Sequence, residues 1–342
     1  MKFIKFSLNF DFFNNILVVV KKIAVVGSLA FDYIFDFPQT FEENILPDKI
    51  KNLSVSFLAE KLCKNFGGVA GNITYNLSLL NCSSSIISCA GKADFSLYRE
   101  HLKKMNVDIS FVEEVENEFC ANAFIVSDRN NCQISAFYPG ALLRDNDLIK
   151  SLGEKMKMFD LIVVGPTVPE AMNSAVKLAK KYNIAYLYDP AQQIPSVSRD
   201  DLRYALDGAE IIIGNDYELS LINNKSGYSN NDLIAKSRIL ITTLGEKGSL
   251  VESDNDKHNI GVAEPLRLVD TTGAGDAYIA GFVAGYVKNL DVKSCAKIGA
   301  TLSSFVIEEY GTQNHKISLS NFGNRYKTAF GEAWNFELFE CK

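Results

Sequence analysis

The stretch VDTTGAGDAYIAGF, residues 269–282, holds two glycines and an alanine between acidic residues, directly ahead of an apolar run. Glycine in or beside a helix costs roughly 1 kcal/mol relative to alanine. Gly273 and Gly275 therefore serve something other than helix stability. The preceding LRLVD is strand-like and the following DAYIAGFVAGYVKNL is helical, so the stretch predicts a strand-to-helix turn.

This glycine turn is typical of an anion site. The first N–H groups of a helix have no acceptor within it and carry the positive end of its dipole. Glycines let those groups converge on one point and let a bulky anion approach. Gly273, Ala274 and Gly275 are therefore predicted to form an anion cradle. With a phosphoryl group in the cradle, the neighbouring Asp276 could orient a hydroxyl and accept its proton. The alternative is an ordinary N-cap, for which one of the two preceding threonines suffices.

Strand-like and helical segments alternate along most of the chain. The buried runs KIAVVG, LIVVGP, IAYLYDP and EIIIGN are typical of parallel strands, and segments such as PEAMNSAVKLAKKYN are helical. This alternation predicts an α/β fold, a doubly wound, mainly parallel sheet flanked by helices. The chain has no G-x-x-x-x-G-K-[ST] loop and no G-x-G-x-x-G after its first strand. These absences argue against a P-loop and a dinucleotide site.

Two β-rich stretches, at about 32–62 and 111–140, interrupt the alternation. The stretch at 111–140 has the pattern of three antiparallel strands, FVEEVENEF, CANAFIVSD and QISAFYPG. We expect both stretches to fold over one face as a small β lid; the alternative is an extension of the sheet edge. Exposed lid strands could also pair between protomers and give a homodimer.

Composition bounds the partners of this protein. The net charge of −6 over 342 residues argues against nucleic-acid and anionic-membrane binding, which need clustered basic surface. Seven scattered cysteines without a C-x-x-C pair, and three distant histidines, indicate neither a zinc site nor a disulfide framework. Reduced cysteines are typical of a cytoplasmic protein.

The two ends of the chain are predicted to lie outside the fold. Residues 1–20 are apolar, but polar residues interrupt the run and no small-residue cleavage site follows, which argues against a signal peptide and a membrane span. We expect residues 1–20 to be an extension, residues 21–335 to form the domain, and residues 336–342 to be a tail.

Four motifs in order resemble those of the ribokinase-like (PfkB) carbohydrate kinases. They are GGVAGN (67–72), NDYE (215–218), TTLGEKG (242–248) and DTTGAGD (270–276), and the resemblance spans roughly residues 21–335. SAFYPGA, DPAQQ and YGTQ are similar to segments of the bacterial adenosine kinases within that family. The resemblance implies a parallel α/β body with a β lid. It also implies transfer of the γ-phosphate of ATP to a primary hydroxyl, here the 5′-hydroxyl of adenosine, with Mg²⁺ bound to ATP.

The resemblance also implies a role for each matching residue. Asp276 would be the general base, and Gly273, Ala274 and Gly275 the anion hole. Contacts to the ribose would come from Ser28, Asp32, Gly68 and Asn72. Contacts on the ATP side would come from Asn215, Glu218, Thr243, Gly245 and Gly248. The first two of these would hold magnesium through ordered water, without direct ligation by the protein.

Contacts to the base are expected from the lid and from DPAQQ. Phe124 and Phe137 could sandwich the purine, and aromatic stacking is worth about 0.5–1.5 kcal/mol beyond burial. The alternative for this pair is packing within the lid. Gln192 and Gln193 could reach the base edge, because an amide both donates and accepts hydrogen bonds. Ser56 is a weaker candidate for the lid's contact with adenosine.

Two alternative functions remain open from the sequence. One is a kinase for a sugar such as ribose or fructose; the phenylalanine pair favours a nucleoside, because a sugar has no flat face to stack. The other is a non-catalytic nucleoside-binding regulator, against which the intact Asp276 and glycines argue. Asp270 and Thr272 could belong to a monovalent-cation (K⁺) site like that of relatives in the family.

Overall fold

The computed structural model describes residues 21–45, 51, 54–130, 132–254 and 256–340. The predicted extension at residues 1–20 lies outside the described residues. In the predicted tail at 336–342, Phe339 is buried in the main core, so the packed domain continues past residue 335. The strands of the described part are β1 Ile23–Val26, β2 Ala30–Asp36, β3 Lys61–Gly67, β4 Ser84–Gly91, β5 Asp108–Val115, β6 Ala121–Ser127, β7 Gln133–Tyr138, β8 Leu161–Val164, β9 Ala185–Tyr188, β10 Ile211–Asn215, β11 Ile239–Thr243, β12 Ser249–Glu252 and β13 Lys257–Ile260. The α-helices are α1 Phe41–Asn44, α2 Val69–Leu79, α3 Phe95–Lys104, α4 Asp145–Leu152, α5 Pro169–Lys181, α6 Arg199–Leu206, α7 Asp216–Ser226, α8 Asn230–Lys236, α9 Ala274–Val287, α10 Val292–Val306 and α11 Leu319–Phe330.

Nine strands form a central sheet in the order β13-β12-β11-β10-β9-β8-β1-β4-β5. Neighbouring strands are parallel from β11 to β5, and the β12 and β13 pairings are antiparallel. The apolar runs predicted as parallel strands are β1, β8, β9 and β10, and the mainly parallel doubly wound sheet is confirmed. No helix in the described residues is long and apolar enough to cross a membrane.

The carboxyl ends of the parallel strands gather polar side chains at one edge of this sheet. Asp189 directly follows β9, while Asn215 and Thr243 end β10 and β11. Because these three strands are adjacent and parallel, their ends meet at one edge, where open α/β sheets bind ligands.

Four other strands form a separate small sheet in the order β3-β2-β6-β7. The central pair β2–β6 is parallel, and the two outer pairs are antiparallel. The prediction that FVEEVENEF also belongs to this lid is wrong, because β5 pairs in parallel with β4 at the edge of the central sheet. An edge strand and a lid strand each have one exposed face, so both produce the same alternating pattern.

Two further strand predictions differ from the structure. LRLVD is not a strand; the backbone N–H groups of Val269 and Asp270 both face the carbonyl oxygen of Ile307, at the end of α10. In the stretch around residues 52–62, residues 54–59 form no strand, and β3 begins at Lys61.

Helix α9 is enclosed by the rest of the molecule, and every residue from Ala277 to Gly285 is buried. It packs closely on α10, since a β-carbon on Gly281 would lie 2.7 Å from the Cα atom of Gly299. A helix that is apolar on all sides is typical of such a buried position. The start of α9 lies beside that of α2, since Asn72 of α2 donates a hydrogen bond to Asp276 of α9.

Candidate active site

The start of α9 is the glycine turn singled out in the sequence. Its N-cap is Gly273, with φ +80° and ψ 0°, and no side chain of the described residues caps it. The alternative that a preceding threonine caps this helix is therefore wrong. A β-carbon on Gly273 would lie 2.8 Å from Cγ2 of Thr312, so both the dihedral angle and the space require glycine.

The amides of this first turn are those of the predicted cradle, whose binding of an anion stays a prediction. Ala274 N lies 3.3 Å from the carbonyl oxygen of Thr271, which is long for an N–H···O bond. Apart from its two chain neighbours and the backbone of its own helix, no atom of the described residues lies within 4 Å of the point where a β-carbon of Gly275 would stand. The turn is therefore open to a ligand at Gly275.

Asp276 lies in the first turn of α9, half-buried, and accepts a hydrogen bond at Oδ2 from Asn72 Nδ2 at 2.7 Å. Burial and the nearby Asp32 carboxylate raise the pKa of Asp276 to about 7, although the hydrogen bond from Asn72 acts to lower it. A carboxyl group with a pKa near the operating pH is suited to general-base catalysis.

Asn72 is held in place by the start of α2. The N-cap of this helix is Gly68, and the Ser28 hydroxyl accepts from Val69 N at 3.0 Å. The Ser28 carbonyl oxygen also accepts from Ala70 N at 3.0 Å. Ser28 thus supports the helix that carries Asn72, and its assigned contact with the ribose stays a prediction.

Asp32 approaches the site from lid strand β2. Burial raises its pKa to about 6, and the Asp270 carboxylate adds to this effect. A β-carbon on Gly67, in the adjacent strand β3, would lie 2.3 Å from Asp32 Oδ2. The missing side chain at this position leaves room for the carboxyl group.

Two cavities meet at the start of α9. The smaller, of about 250 Å³, is lined by residues that include Asp276, Asp189, Asn215, Glu218 and Gln192. The larger, of about 910 Å³, is lined by residues that include Gly245, Gly248 and Tyr278. Thr243 and Gly275 line both cavities. Asp276 therefore lines a cavity that shares two lining residues with a second, larger cavity at the glycine turn.

The NDYE motif forms a capping box at the start of α7. Glu218 N donates to Asn215 Oδ1 and Asn215 N donates to Glu218 Oε2, each at 2.8 Å. One oxygen of each side chain is thus engaged locally. Within the described residues there is no group of three or more His, Cys, Asp or Glu side chains arranged to hold a metal.

The two lid phenylalanines lie on opposite faces of the small sheet. Asp32 is opposite Ala123, and Ala123 is opposite Phe137, so Phe137 shares the face of Asp32. Phe124, the next residue in β6, lies on the other face and stacks on Tyr33 with ring centroids 5.2 Å apart. The prediction that Phe124 and Phe137 sandwich a base is therefore wrong within one protomer.

The other predicted base contacts are separated as well. Gln192 lines the smaller cavity near Asp276, whereas Gln193 is not among the residues that line either cavity. Ser56 is exposed and lines neither cavity, and its neighbour Phe57 packs on Phe37 and Phe41.

Three residues at the site carried no predicted role. Asp189 is buried beside the smaller cavity, and burial with the nearby Glu218 and Asp276 carboxylates raises its pKa well above the ordinary value. Thr312 and Gln313 both contact Asn72 Oδ1, at 2.7 and 2.9 Å. The signal was present, because these residues belong to DPAQQ and YGTQ, but the contacts join distant parts of the chain.

Asp270 ties the glycine turn to a second loop. Its two carboxylate oxygens accept from the backbone N–H groups of Thr272, at 2.9 Å, and Gly311, at 3.1 Å. This arrangement orders the loop ahead of α9. The monovalent-cation site at Asp270 and Thr272 stays a prediction.

The chain is similar to known kinases over most of its length. The family model for the pfkB family carbohydrate kinases matches residues 20–318. A nucleoside kinase of Methanocaldococcus jannaschii is 30% identical over 298 residues, which cover 86% of this chain and 93% of the relative. A ribokinase of Schizosaccharomyces pombe is 25% identical over 251 residues, 69% of this chain and 77% of that protein.

The fold is shared with solved structures. The structure of a Burkholderia thailandensis nucleoside kinase in complex with inosine is similar with a TM-score of 0.82 and 28% identity. The match covers 91% of this chain and 99% of that one. Nearly the whole described chain therefore has a counterpart in that structure.

Proposed function

The chain belongs to the pfkB family of carbohydrate kinases, and within it we propose that this protein is an adenosine kinase, which transfers the γ-phosphate of ATP to the 5′-hydroxyl of adenosine. The observation that carries the proposal is the position of Asp276. Asp276 lines a cavity that shares Gly275 with a larger one, beside a helix start that no described side chain caps.

The chemistry follows from this geometry. The phosphates of ATP would extend from the larger cavity to the amides of the glycine turn, where the helix dipole favours negative charge. The acceptor hydroxyl would lie between Asp32 of the lid and Asp276, which accepts its proton as the phosphoryl group leaves ATP. Phosphoryl transfer depends mostly on such positioning and charge stabilisation.

Magnesium accompanies ATP in this proposal. Asp189, Asn215 and Glu218 offer oxygen donors at the smaller cavity, and Mg²⁺ prefers oxygen ligands while keeping several waters. The donor set therefore fits an ion bound to the phosphates and held through water by Asn215 and Glu218. When bound, Mg²⁺ would supply neutralisation of the phosphate charge.

Support for a nucleoside rather than a sugar comes from the similar proteins and from the lid. The two similar nucleoside kinases are 30% and 28% identical to this chain, whereas the ribokinase is 25% identical. Phe137, 58% exposed, lies on the Asp32 face of the lid and could stack on a base. Since Phe124 lies on the opposite face, the pair no longer argues against a sugar kinase, which is therefore the second candidate.

A substrate panel with Mg·ATP tests this proposal. Adenosine, inosine, ribose and fructose are compared in one coupled ADP assay, with AMP identified as the product. We expect the highest kcat/KM for adenosine. A higher value for inosine would move the assignment to another nucleoside, and a higher value for ribose or fructose would establish the sugar kinase. Adenosine binding without any phosphorylated product would indicate the non-catalytic regulator.

The substitution Asp276→Asn tests the proposed base. It keeps the shape of the side chain but removes the proton acceptor, so we expect kcat to fall by about 10²–10⁴-fold. Adenosine binding, measured by calorimetry, should stay within a few-fold of the original protein. Near-full turnover by the variant would contradict the assignment of Asp276.

We also propose that the lid carries a homodimer contact. The Phe124 face, defined by Tyr33, Leu62, Phe124 and Ile134, presents apolar side chains that are half-buried or exposed. A second copy of the chain would cover this face while leaving Asp32, on the other face, directed at the site.

A further inference from the structure

A chain of polar side chains leads from α3 to Asp276. It consists of His101, Tyr98, Gln313 and Asn72, which we term the amide network. His101 Nε2 lies 3.0 Å from Gln313 Oε1. Gln313 Nε2 lies 2.6 Å from the Tyr98 hydroxyl and 2.9 Å from Asn72 Oδ1. Asn72 Nδ2 in turn lies 2.7 Å from Asp276 Oδ2.

A backbone carbonyl fixes the direction of these hydrogen bonds. The Tyr98 hydroxyl lies 2.7 Å from the carbonyl oxygen of Gly67, which can only accept, so Tyr98 donates to it. The Tyr98 oxygen therefore accepts from the NH₂ group of Gln313, and the carbonyl of Gln313 faces His101. His101 completes the arrangement when its Nε2 carries the proton. The orientation of the Gln313 amide follows from this one acceptor.

The same reasoning orients Asn72. The NH₂ group of Gln313 points at Asn72 Oδ1, 2.9 Å away, whereas the single hydroxyl proton of Thr312 has two acceptors in reach, Asn72 Oδ1 at 2.7 Å and the Phe66 carbonyl oxygen at 3.0 Å. With the Asn72 amide reversed, its NH₂ group would face that of Gln313 and its oxygen would face the Asp276 carboxylate. Both contacts would then be unfavourable in a buried place. The NH₂ group of Asn72 consequently faces Asp276.

We propose that Gln313 is a positioning residue for the phosphoryl transfer. It holds the Asn72 carboxamide so that the NH₂ group of Asn72 donates to Asp276 Oδ2 and leaves Oδ1 for the acceptor hydroxyl. This inference rests on the proposed function. Gly71 supports it independently, because a β-carbon there would lie 1.8 Å from the Tyr98 hydroxyl and 3.0 Å from Gln313 Nε2. The close approach of the network requires glycine at this position of α2.

The hydrogen bond from Asn72 affects the pKa of Asp276, together with the charged groups around that carboxyl. Asp32 of β2, Asp189 after β9 and the Tyr98 phenol of α3 are the titratable groups that interact with it. Burial and the Asp32 carboxylate raise the pKa of Asp276, whereas the hydrogen bond from Asn72 lowers it. Loss of the Asn72 orientation therefore raises that pKa and leaves less of the base ionised at neutral pH.

The variants Gln313→Met and Gln313→Glu test the proposal. Methionine has about the length of glutamine but no hydrogen-bond donor. The acid limb of the kcat/KM profile should therefore move to higher pH by about one unit, which is a roughly tenfold loss of kcat/KM at pH values below the midpoint. Glutamate presents an acceptor to Asn72 Oδ1 and should move the limb further. Gln39→Met, the same change at an exposed glutamine, should leave the profile unchanged.

Two further measurements separate positioning from a general structural role. In an Asn72→Ala background, which has no amide to orient, Gln313→Met should shift the profile no further. If the Gln313 variants do not fold, Thr312→Val should give a smaller shift in the same direction, and Thr312→Ser should restore the original profile.

The outcomes distinguish this inference from the proposed function. A profile unchanged in folded Gln313→Met, or an equal shift in the presence and absence of Asn72, would overturn the role of Gln313 alone. Nucleoside phosphorylation that survives Asp276→Asn would instead remove the base on which the inference depends.

Discussion

Asp276 shows how position changes the chemistry of a single residue. The sequence placed this aspartate at a helix start, where the dipole stabilises a carboxylate. In the structure, burial outweighs that effect, and the pKa rises to about 7. The Asn72 amide of α2 lowers this pKa and the Asp32 carboxylate of the lid raises it. The basicity of Asp276 is therefore a property of the folded site.

This pKa predicts the pH dependence of activity. As the proposed base, Asp276 acts only when ionised, so kcat/KM should fall as the pH is lowered through about 7, since that ratio reports the free enzyme. A profile recorded between pH 5 and 9 at fixed ionic strength checks this expectation. An acid limb near pH 4, the range of an ordinary aspartate, would show that Asp276 is not the titrating group.

Asp276 also makes the stability of the folded protein depend on pH, but stability falls as the pH rises, whereas activity increases. The folded pKa lies above the ordinary 3.8, so the folded state binds more protons in that window and loses stability as the pH rises through it. Asp276→Asn should therefore raise Tm more at pH 8 than at pH 5, in melting experiments on both proteins. A Tm difference that does not vary with pH would contradict the raised pKa.

At the scale of the element, the two glycines at the start of α9 have different structural reasons. Gly273 has a left-handed dihedral angle and the Thr312 side chain beside it. Gly275 lies within the helix, and outside its chain neighbours and its own helix backbone no described atom lies within 4 Å of its β-carbon position. The first glycine is required by the backbone, and the second leaves space for a ligand.

The matched pair Gly273→Ala and Gly275→Ala tests this distinction. Gly273→Ala should destabilise the protein by about 1–2 kcal/mol, because an L-residue is strained in the left-handed region. Gly275→Ala should leave stability unchanged or raise it by up to about 1 kcal/mol, yet increase KM for ATP because the methyl group occupies the cradle. Denaturant unfolding and steady-state kinetics on both variants check this. Equal losses of stability would contradict it.

At the scale of the whole molecule, the lid has two faces with different expected tasks. Phe137 shares its face with Asp32, whereas Phe124, 42% exposed, lies among apolar neighbours on the other face. This arrangement suggests that one sheet serves the substrate on one side and a second protomer on the other.

Phe137→Ala and Phe124→Glu separate the two tasks. Phe137→Ala should raise KM for adenosine by about tenfold, in keeping with the loss of one stacking contact, without changing the oligomeric state. Phe124→Glu should convert a dimer to a monomer in sedimentation experiments, because it buries a charge in the contact. A monomeric original protein would refute the dimer, and an unchanged KM in Phe137→Ala would remove the stacking role.

Much of the architecture was predictable from local patterns. The buried strand runs β1, β8, β9 and β10 and the glycine turn were identified, because hydrophobic periodicity and glycine placement act over a few residues. FVEEVENEF was assigned to the wrong sheet, since an edge strand of a large sheet and a strand of a small one bury one face alike. LRLVD was not a strand, because its neighbour is the end of α10 rather than another strand.

The sequence by itself determined the fold class and the position of the glycine turn ahead of Asp276, because these depend on neighbours a few positions apart. Only the tertiary structure decided that Phe124 and Phe137 face opposite ways, that Asn72 donates to Asp276, and that Gln313 orients Asn72. These contacts join residues more than two hundred positions apart in the chain, except for the lid pair, whose direction follows from strand register. Register and long-range packing arise from the whole core, so no short stretch of sequence specifies them.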